Sequence, residues 1–333
     1  MILICYGTRP EYIKVKPLIE KMKGVVPFQI LHVAQHQDLV DGEYDHFVQI
    51  EDGKNRLDSI ISSVMNSFDF QENEISHVLV QGDTATAYAM AVTAFNHRIP
   101  VIHLEAGMRT YDLENPYPEE VYRQCISRIA SIHFAPTSYE SHLLKQEKVN
   151  GDVYVVGNTV LDNLLGVSSE YGNVVLLTMH RRENHHLIPE YFKLFSKLAK
   201  DNPDLQFVLP LHPNPNVQKH KDLLDGILVI DPLPYDSMIS SISKCRLIIS
   251  DSGGIQEEAA FFKKKIIVCR ETTERVASIN TSSFMCKSPH ELEKIFYDIK
   301  DDYIVEKDCP YGDGHSSEKI VDILQKEYRT WKA

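Results

Sequence analysis

Three acidic positions lie between Gln81 and Arg123, at or after the ends of short apolar runs, and could carry proton-transfer chemistry. Asp83 and Glu105 each stand at or just after the end of such a run, and a proline-containing loop then leads to Glu119-Glu120 and Arg123. Carboxylates that converge on one substrate can act as general acid and general base. The alternative is that Asp83 caps a helix and Glu105 is a buried structural partner, since Asp is a favoured N-cap residue.

The elements around these positions have the pattern of a parallel sheet. Short apolar runs alternate with helix-like patterns, and the first run breaks at Gly7 before a helix whose inner face includes Ile13, Leu18 and Met22. This alternation predicts a doubly wound α/β domain. Ligands of such domains bind outside the carboxyl ends of the strands, which is where Asp83 and Glu105 fall. The predicted strands of this half are 2–6, 28–33, 77–80, 100–104 and 153–156, with helices near 57–68 and 84–96.

A second α/β half follows a boundary rich in Gly and Ser at 158–173. Its predicted strands are 174–178, 206–211, 227–230, 247–250 and 266–268. The fold class is therefore α/β, with two Rossmann-like doubly wound domains facing a cleft. The first domain comprises 1–160 together with a C-terminal helix, 315–333, that crosses back to it, and the second comprises 161–314. Ser316 or Ser317 is the expected cap of that helix.

Composition limits the class of protein. The 333 residues carry a net charge of −12, with 43% hydrophobic and 25% charged residues. An acidic chain lacks the basic face of a nucleic-acid binder, although a local cluster of cations can still bind a small anion. Six cysteines without a C-x-x-C pair indicate buried thiols in a reducing compartment. No apolar stretch of about 18 residues and no signal peptide are evident, which predicts a cytoplasmic protein without membrane contact.

The segment DSGGIQEEA, 251–259, has the features of a phosphate-binding turn. It follows a predicted strand and opens a helix, so Ser252 can cap, and Gly253 and Gly254 let a phosphate approach the backbone. Glu257 and Glu258 lie about one turn later, where a carboxylate can accept from ribose hydroxyls. Neither a P-loop nor a dinucleotide fingerprint is present.

Cations follow other strands. His180 and Arg181 begin the segment HRRENHH, and Arg275 ends TTER. The histidines could suggest a metal site, but His180 and His185 are five residues apart and would not lie on one face of a helix. We therefore favour cations that face a diphosphate over a metal site. Arg9 and Lys14 lie around the start of the first helix, where free N–H groups also attract anions.

Ten motifs in order give the chain a family resemblance: GTRPEYIK, GDT, HLEAGMRT, PYPEEVYR, VVGNTVLDNL, HRREN, HPNPNV, DSGGIQEEA, TTER and YGDG. They span nearly the whole sequence. The chain resembles the non-hydrolysing UDP-N-acetylglucosamine 2-epimerases, which have the two-domain fold also seen in GT-B glycosyltransferases.

The resemblance implies a role for each matching residue. It makes Asp83, Glu105 and Glu119 the catalytic carboxylates and places His180 in the catalytic cleft near the diphosphate. The residues implied to bind the UDP-sugar are Arg9, Lys14, Arg123, Arg181, Met238, Ser252, Gly253, Gly254, Glu258 and Arg275. The implied reaction removes the C2 proton of a UDP-N-acetylhexosamine as UDP leaves C1, and the resulting 2-acetamidoglucal is reprotonated on its other face while UDP re-adds. It needs no redox cofactor or metal, and the resemblance implies a homodimer.

Departures from the family pattern leave the identity of the sugar substrate undecided. Leu233 and Met238 stand where the family often has Gln and Phe near the uracil, Val276-Ala277-Ser278 replaces Pro-Glu after TTER, and Asp38 follows AQHQ. UDP-N-acetylglucosamine is the expected substrate, and another UDP-2-acetamido sugar is the alternative. A hydrolysing epimerase that releases UDP and N-acetylmannosamine, a GT-B glycosyltransferase and a non-catalytic nucleotide-sugar sensor also stay open, as does a regulatory site near the AQHQ and HRRE loops.

Overall fold

Two parallel sheets organise the chain in a computed structural model that describes residues 1–35, 42–51 and 53–331. The first compact unit comprises Met1–Asn163 and the segment from Gly312 onward, and the second comprises Leu164–Tyr311. His36 and Gln37 of AQHQ and the following Asp38 lie outside the described residues.

The first unit contains a seven-stranded sheet in the order β3-β2-β1-β4-β5-β6-β7. Its elements are β1 (Ile2–Tyr6), α1 (Arg9–Met22), β2 (Phe28–Val33), β3 (His46–Val48), α2 (Arg56–Ser67), β4 (His77–Gln81), α3 (Ala85–Asn96), β5 (Val101–Leu104), α4 (Glu119–Ile129), β6 (Ile132–Ala135), α5 (Ser138–Gln146), β7 (Asp152–Val155) and a 3₁₀ helix (Thr159–Leu164). The strand order reverses between β1 and β4, so ligand-binding groups are expected at their carboxyl ends.

The apolar strands are buried on both faces, as the continuous apolar runs predict. Leu3 and Cys5 of β1 point into a core formed with α2, α3 and α4. Ile2, Ile4 and Tyr6 alternate with them and point into a second core on the opposite face, formed with α1 and the C-terminal helix. Helices therefore cover both sides of the sheet, and its strand ends are left to carry polar groups.

The second unit contains a six-stranded parallel sheet in the order β10-β9-β8-β11-β12-β13. Its elements are β8 (Val174–Thr178), a 3₁₀ helix (Arg182–Asn184), α6 (Ile188–Asp201), β9 (Gln206–Pro210), α7 (Pro215–Gln218), a 3₁₀ helix (Lys221–Leu223), β10 (Leu228–Ile230), α8 (Tyr235–Lys244), β11 (Leu247–Ser250), α9 (Gly253–Phe261), β12 (Lys265–Val268), a 3₁₀ helix (Val276–Ser278), β13 (Ser283–Met285) and α10 (Pro289–Ile299). Here the order reverses between β8 and β11, which precede HRREN and DSGG.

The C-terminal helix α11 (Ser316–Trp331) belongs to the first unit, as the sequence predicted. Ile320 and Leu324 are buried in the same core as α1. The prediction that a serine caps this helix is wrong. The backbone N–H groups of Ser316 and Ser317 donate to the carboxylate of Asp162 at 3.0 and 2.7 Å, because a carboxylate neutralises a helix N-terminus better than a hydroxyl does.

Cys5, Cys245, Cys269 and Cys286 are buried as free thiols. Within the described ranges, every helix is too short or too polar to cross a lipid bilayer.

Candidate active site

Glu105, one of the three candidate carboxylates, is held by three neighbouring side chains. It directly follows β5 with a positive φ of 67°, which turns its side chain away from the strand direction. The ammonium of Lys14 lies 2.7 Å from Oε1 and 2.6 Å from Oε2. Asn158 donates to Oε1 at 3.0 Å, and the amide of Gln81 donates to Oε2. The charge of this buried carboxylate is therefore compensated, and its direction is fixed from three sides.

Asp83 lies at the end of the adjacent strand and pairs with a buried arginine. Its carboxylate forms an ion pair with Nη2 of Arg123, and its side chain keeps 28% of its surface exposed. Thr84, and not Asp83, caps α3, because Thr84 Oγ1 accepts from the backbone N–H of Ala87 at 3.0 Å. The carboxylate of Asp83 is thus not consumed by a capping bond.

Glu119 is the first residue of α4 and is half-buried. It precedes Arg123 by four residues, so both side chains lie on one face of the helix. Asp83 pairs with that same Arg123. Gln81, two residues before Asp83, donates to Glu105. The structure therefore brings Asp83, Glu105 and Glu119 to neighbouring positions at one edge of the first sheet.

Glu11 was not selected from the sequence, yet it joins two of these loops. Its carboxylate accepts from the backbone N–H of Gly7 at 3.0 Å and from the hydroxyls of Thr8 and Thr84 at 2.8 and 2.7 Å. Burial raises the pKa of Glu11 to about 7, and these hydrogen bonds oppose the rise. The sequence signal was the capping-box spacing of Thr8 and Glu11, which marks a helix start and not a site.

In the second unit, Asp251 organises the turn after β8. It is fully buried and accepts from the backbone N–H groups of His180 and Arg181 at 3.0 and 2.9 Å, and from the side-chain amide of Asn184 at 3.2 Å. The ring of His180 stacks on His212, with centroids 5.3 Å apart. Burial lowers the pKa of His180, and the charge of Asp251 opposes that effect. Residues that follow β8, β9 and β11 thus meet at the reversal point of the second sheet.

The start of α9 presents backbone N–H groups for an anion. Ser252 occupies the N-cap position, but its hydroxyl makes no capping bond, so the expected capping role of its side chain is wrong. Its backbone N–H instead donates to Ser250 Oγ at 2.9 Å. A Cβ on Gly253 would lie 2.6 Å from Nη1 of Arg275, and one on Gly254 would meet nothing within 4 Å. Glycine at 253 thus permits close packing, and the backbone at 254 stays open for an approaching group.

Arg275 is buried among carboxylates. Its Nε donates to Glu257 at 2.7 Å, and its Nη1 donates to Glu274. Glu257 is therefore engaged by an arginine, and Glu258 is the carboxylate that the family resemblance assigns to the ribose. Burial and the neighbouring charge of Glu258 raise the pKa of Tyr235, so these two side chains share one microenvironment on α8 and α9.

The remaining candidates lie at less constrained positions. Arg9 begins α1 and is exposed, Arg181 is half-buried after β8, and Met238 is half-buried on α8. Lys264, in the run Lys263-Lys264-Lys265, has structural contacts: it donates to the carbonyl of Glu170 at 2.5 Å and lies 3.9 Å from the ring centroid of Tyr171. Among the described residues, no group of three His, Cys, Asp or Glu side chains is arranged to hold a metal ion.

Comparisons with known proteins identify the family of the chain. Residues 21–325 match the family model for UDP-N-acetylglucosamine 2-epimerase. A Campylobacter jejuni relative of that name is 37% identical, over 98% of this chain and 97% of the relative. The crystal structure of the Neisseria meningitidis UDP-GlcNAc 2-epimerase bound to UDP-GlcNAc is 33% identical, covers 98% of this chain and 99% of that one, and has a TM-score of 0.87. Acinetobacter baumannii MurG shares the fold alone. It is 12% identical, covers 98% of this chain and 99% of its own, and has a TM-score of 0.57. The resemblance found in the motifs and the two Rossmann-like units are confirmed.

Proposed function

Because the chain belongs to the UDP-N-acetylglucosamine 2-epimerase family, we propose that it interconverts UDP-N-acetylglucosamine and UDP-N-acetylmannosamine by inverting C2 of the sugar. Both the family match and relatives of at least 30% identity span nearly the whole chain. The activity is that of an isomerase, and the substrate is a nucleotide sugar.

The observation that carries this proposal is the set of carboxylates at the edge of the first sheet. Inversion at C2 requires a proton to leave one face of the ring and a proton to arrive on the other, so at least two acid/base groups are needed. Asp83, Glu105 and Glu119 supply three carboxylates on neighbouring elements. The charge of Glu105 is compensated by Lys14, and that of Asp83 by Arg123.

We infer an elimination followed by an addition. A carboxylate takes the C2 proton, the C1–oxygen bond breaks, and UDP leaves with the bonding electrons, which forms the double bond of 2-acetamidoglucal. A second group then delivers a proton to the opposite face of C2 while a phosphate oxygen of UDP re-forms the bond to C1. Protons and electrons balance within the cycle, so no external oxidant or reductant takes part.

The second unit supports the proposal on the UDP side. A departing diphosphate gains negative charge, and hydrogen-bond donors in fixed positions stabilise it. The backbone at Gly253 and Gly254, where α9 begins, and the turn that presents His180 and Arg181 are such groups. We assign the ribose to Glu258, the uracil side to Met238, and supporting cationic roles to Arg9 and Arg275.

Two further features accompany the proposal. We propose a homodimer, as the resemblance implies, and a molar mass near twice the chain's 38.1 kDa in light scattering would support it. A cytoplasmic location stays a prediction that rests on the reduced cysteines.

The decisive experiment is incubation of the protein with UDP-N-acetylglucosamine in heavy water, with and without a chelator, followed by NMR. We expect UDP-N-acetylmannosamine with deuterium at C2 in both samples. Product without deuterium at C2 would remove the elimination mechanism. UDP with free N-acetylmannosamine would instead identify the hydrolysing reaction.

A second series tests the substrate. Deoxy and diacetamido UDP-hexosamines are supplied in the same assay, because Leu233 and Met238 depart from the family pattern near the uracil. Turnover of one of these sugars in preference to UDP-N-acetylglucosamine would show that the same reaction takes place on that substrate instead. Binding of all of them without turnover would contradict an enzymatic role.

A further inference from the structure

Glu120, the neighbour of Glu119, is completely buried and uses both of its carboxylate oxygens. Its exposed fraction is 0%. Oε1 accepts from the backbone N–H of Tyr111 at 3.1 Å and from the side-chain amide of Gln124 at 2.8 Å. Oε2 accepts from the backbone N–H of Thr110 at 3.0 Å and lies 3.4 Å from Nη1 of Arg123. A buried carboxylate with four such partners is a strong constraint on all of them.

The first effect of these contacts is on the loop that joins β5 to α4. The hydrogen bond between Thr110 and Glu120 closes a ring over a separation of 10 residues, and Glu119 lies inside that ring. The start of the loop is held separately, because Arg109 makes a bidentate pair with Glu147 at 2.8 and 2.9 Å. The position of Glu119 is therefore determined by a loop that is fixed at both ends.

The second effect is on Arg123. This arginine is buried between two carboxylates, with Nη2 on Asp83 and Nη1 near Glu120. Because the guanidinium is planar, the orientation that directs Nη2 at Asp83 is coupled to the one that directs Nη1 at Glu120. Glu120 thus influences the carboxylate of Asp83 without touching it.

We propose that Glu120 is a positioning residue for the C2 inversion, and that it acts through Arg123 on Asp83 and through the loop on Glu119. This inference rests on the proposed function. The catalytic groups contact the sugar, whereas Glu120 faces away from solvent and contacts only protein. Its removal should impair the chemical step more than the binding of UDP, because the groups of the second unit that we assign to UDP are unchanged.

The test compares Glu120→Gln with Gln124→Ala. The first variant keeps the shape of the side chain but removes its charge. The second removes one hydrogen bond from Glu120 and leaves Arg123, Thr110 and Tyr111 in place. We expect Glu120→Gln to lower kcat by about 10- to 100-fold, since small displacements of catalytic groups have effects of that size. KM should change by less than about threefold, and Gln124→Ala should keep kcat within about threefold of the wild type.

A double-mutant cycle separates the two routes. If Glu120 acts mainly through Arg123, then Glu120→Gln should lower kcat by less than about threefold in an Arg123→Lys background. Fully additive effects in this cycle would overturn the route through Arg123. Circular dichroism and UDP binding establish that each variant is folded. If Glu120→Gln does not fold, it is replaced by Glu120→Asp, which keeps the charge but has a shorter side chain.

The outcomes distinguish this inference from the function on which it rests. Wild-type protein that fails to exchange the C2 hydrogen would refute the proposed function. An active wild type together with a folded Glu120 variant of unchanged kcat would refute the positioning role alone. A rise in KM at constant kcat would also refute it, because that result would give Glu120 a role in binding.

Discussion

Replacing Glu11 by glutamine should change how the stability of the first unit depends on pH. Glu11 is buried where the loops after β1 and β4 meet, and its partners are the backbone N–H of Gly7 and the hydroxyls of Thr8 and Thr84. None of these donors carries a full charge, so they offset only part of the desolvation of an ionised carboxylate. The pKa of Glu11 is consequently raised to about 7.

The expected magnitude follows from the pKa. The folded state holds the proton of Glu11 more tightly than the unfolded chain does, because the pKa rises from 4.5 to about 7 on folding. One pKa unit corresponds to about 1.4 kcal/mol, so this rise corresponds to about 3 kcal/mol in the free energy of unfolding. That stabilisation is fully present below pH 4.5 and is lost as the pH rises through about 7.

Glutamine at position 11 is neutral at every pH and should not show this loss. The free energy of unfolding of Glu11→Gln, minus that of the wild type, should therefore increase by about 3 kcal/mol between about pH 4.5 and about pH 8. Taking this difference removes the contributions of other groups, such as His77 and His103, whose pKa values are lowered by burial. Glu20→Gln, at an exposed position of the same helix, serves as the control.

The assay is urea unfolding at a series of pH values, followed by far-UV circular dichroism. A difference between Glu11→Gln and wild type that stays constant with pH would refute the assignment of a raised pKa. A difference that decreases with rising pH would reverse its sign and refute the burial argument itself.

Three other substitutions test the site and the fold. Glu105→Gln should reduce deuterium exchange at C2 by at least about 10²-fold while UDP binding stays within about threefold, because a proton-transfer group is lost and the groups of the second unit that we assign to UDP are unchanged; equal losses of both would contradict this role. Asp251→Asn should weaken UDP binding in calorimetry by about 10-fold or more, since the buried carboxylate orients the turn at His180 and Arg181; unchanged affinity would separate that turn from the diphosphate. Asp162→Ala should lower the free energy of unfolding of the first unit by about 1 kcal/mol through loss of the α11 cap, and an unchanged urea midpoint would show that the cap is dispensable.

The local pattern of the chain determined most of the fold. The strands predicted at 174–178 and 247–250 have those bounds in the structure, because buried parallel strands appear as uninterrupted apolar runs that end at polar residues or glycine. The helix expected at 84–96 begins one residue later, since Thr84 provides its cap. Asp83 and Glu105 were predicted as candidates for the same reason: in a parallel sheet, residues that follow a strand lie at the ligand-binding end of the sheet.

Tertiary structure alone decided which partner each of these residues has. Lys14 was selected as a cation for the nucleotide sugar, but its ammonium lies on Glu105, 91 residues away in the chain. Asp162 caps a helix that begins 154 residues later, and Glu11, Gln81 and Asn158 acquire their roles from side chains that follow other strands. Residue type and spacing determine where a strand ends and what a side chain can donate or accept. Which donor meets which acceptor depends on how separate strands and helices pack, and that information is carried by the whole core and not by any single motif.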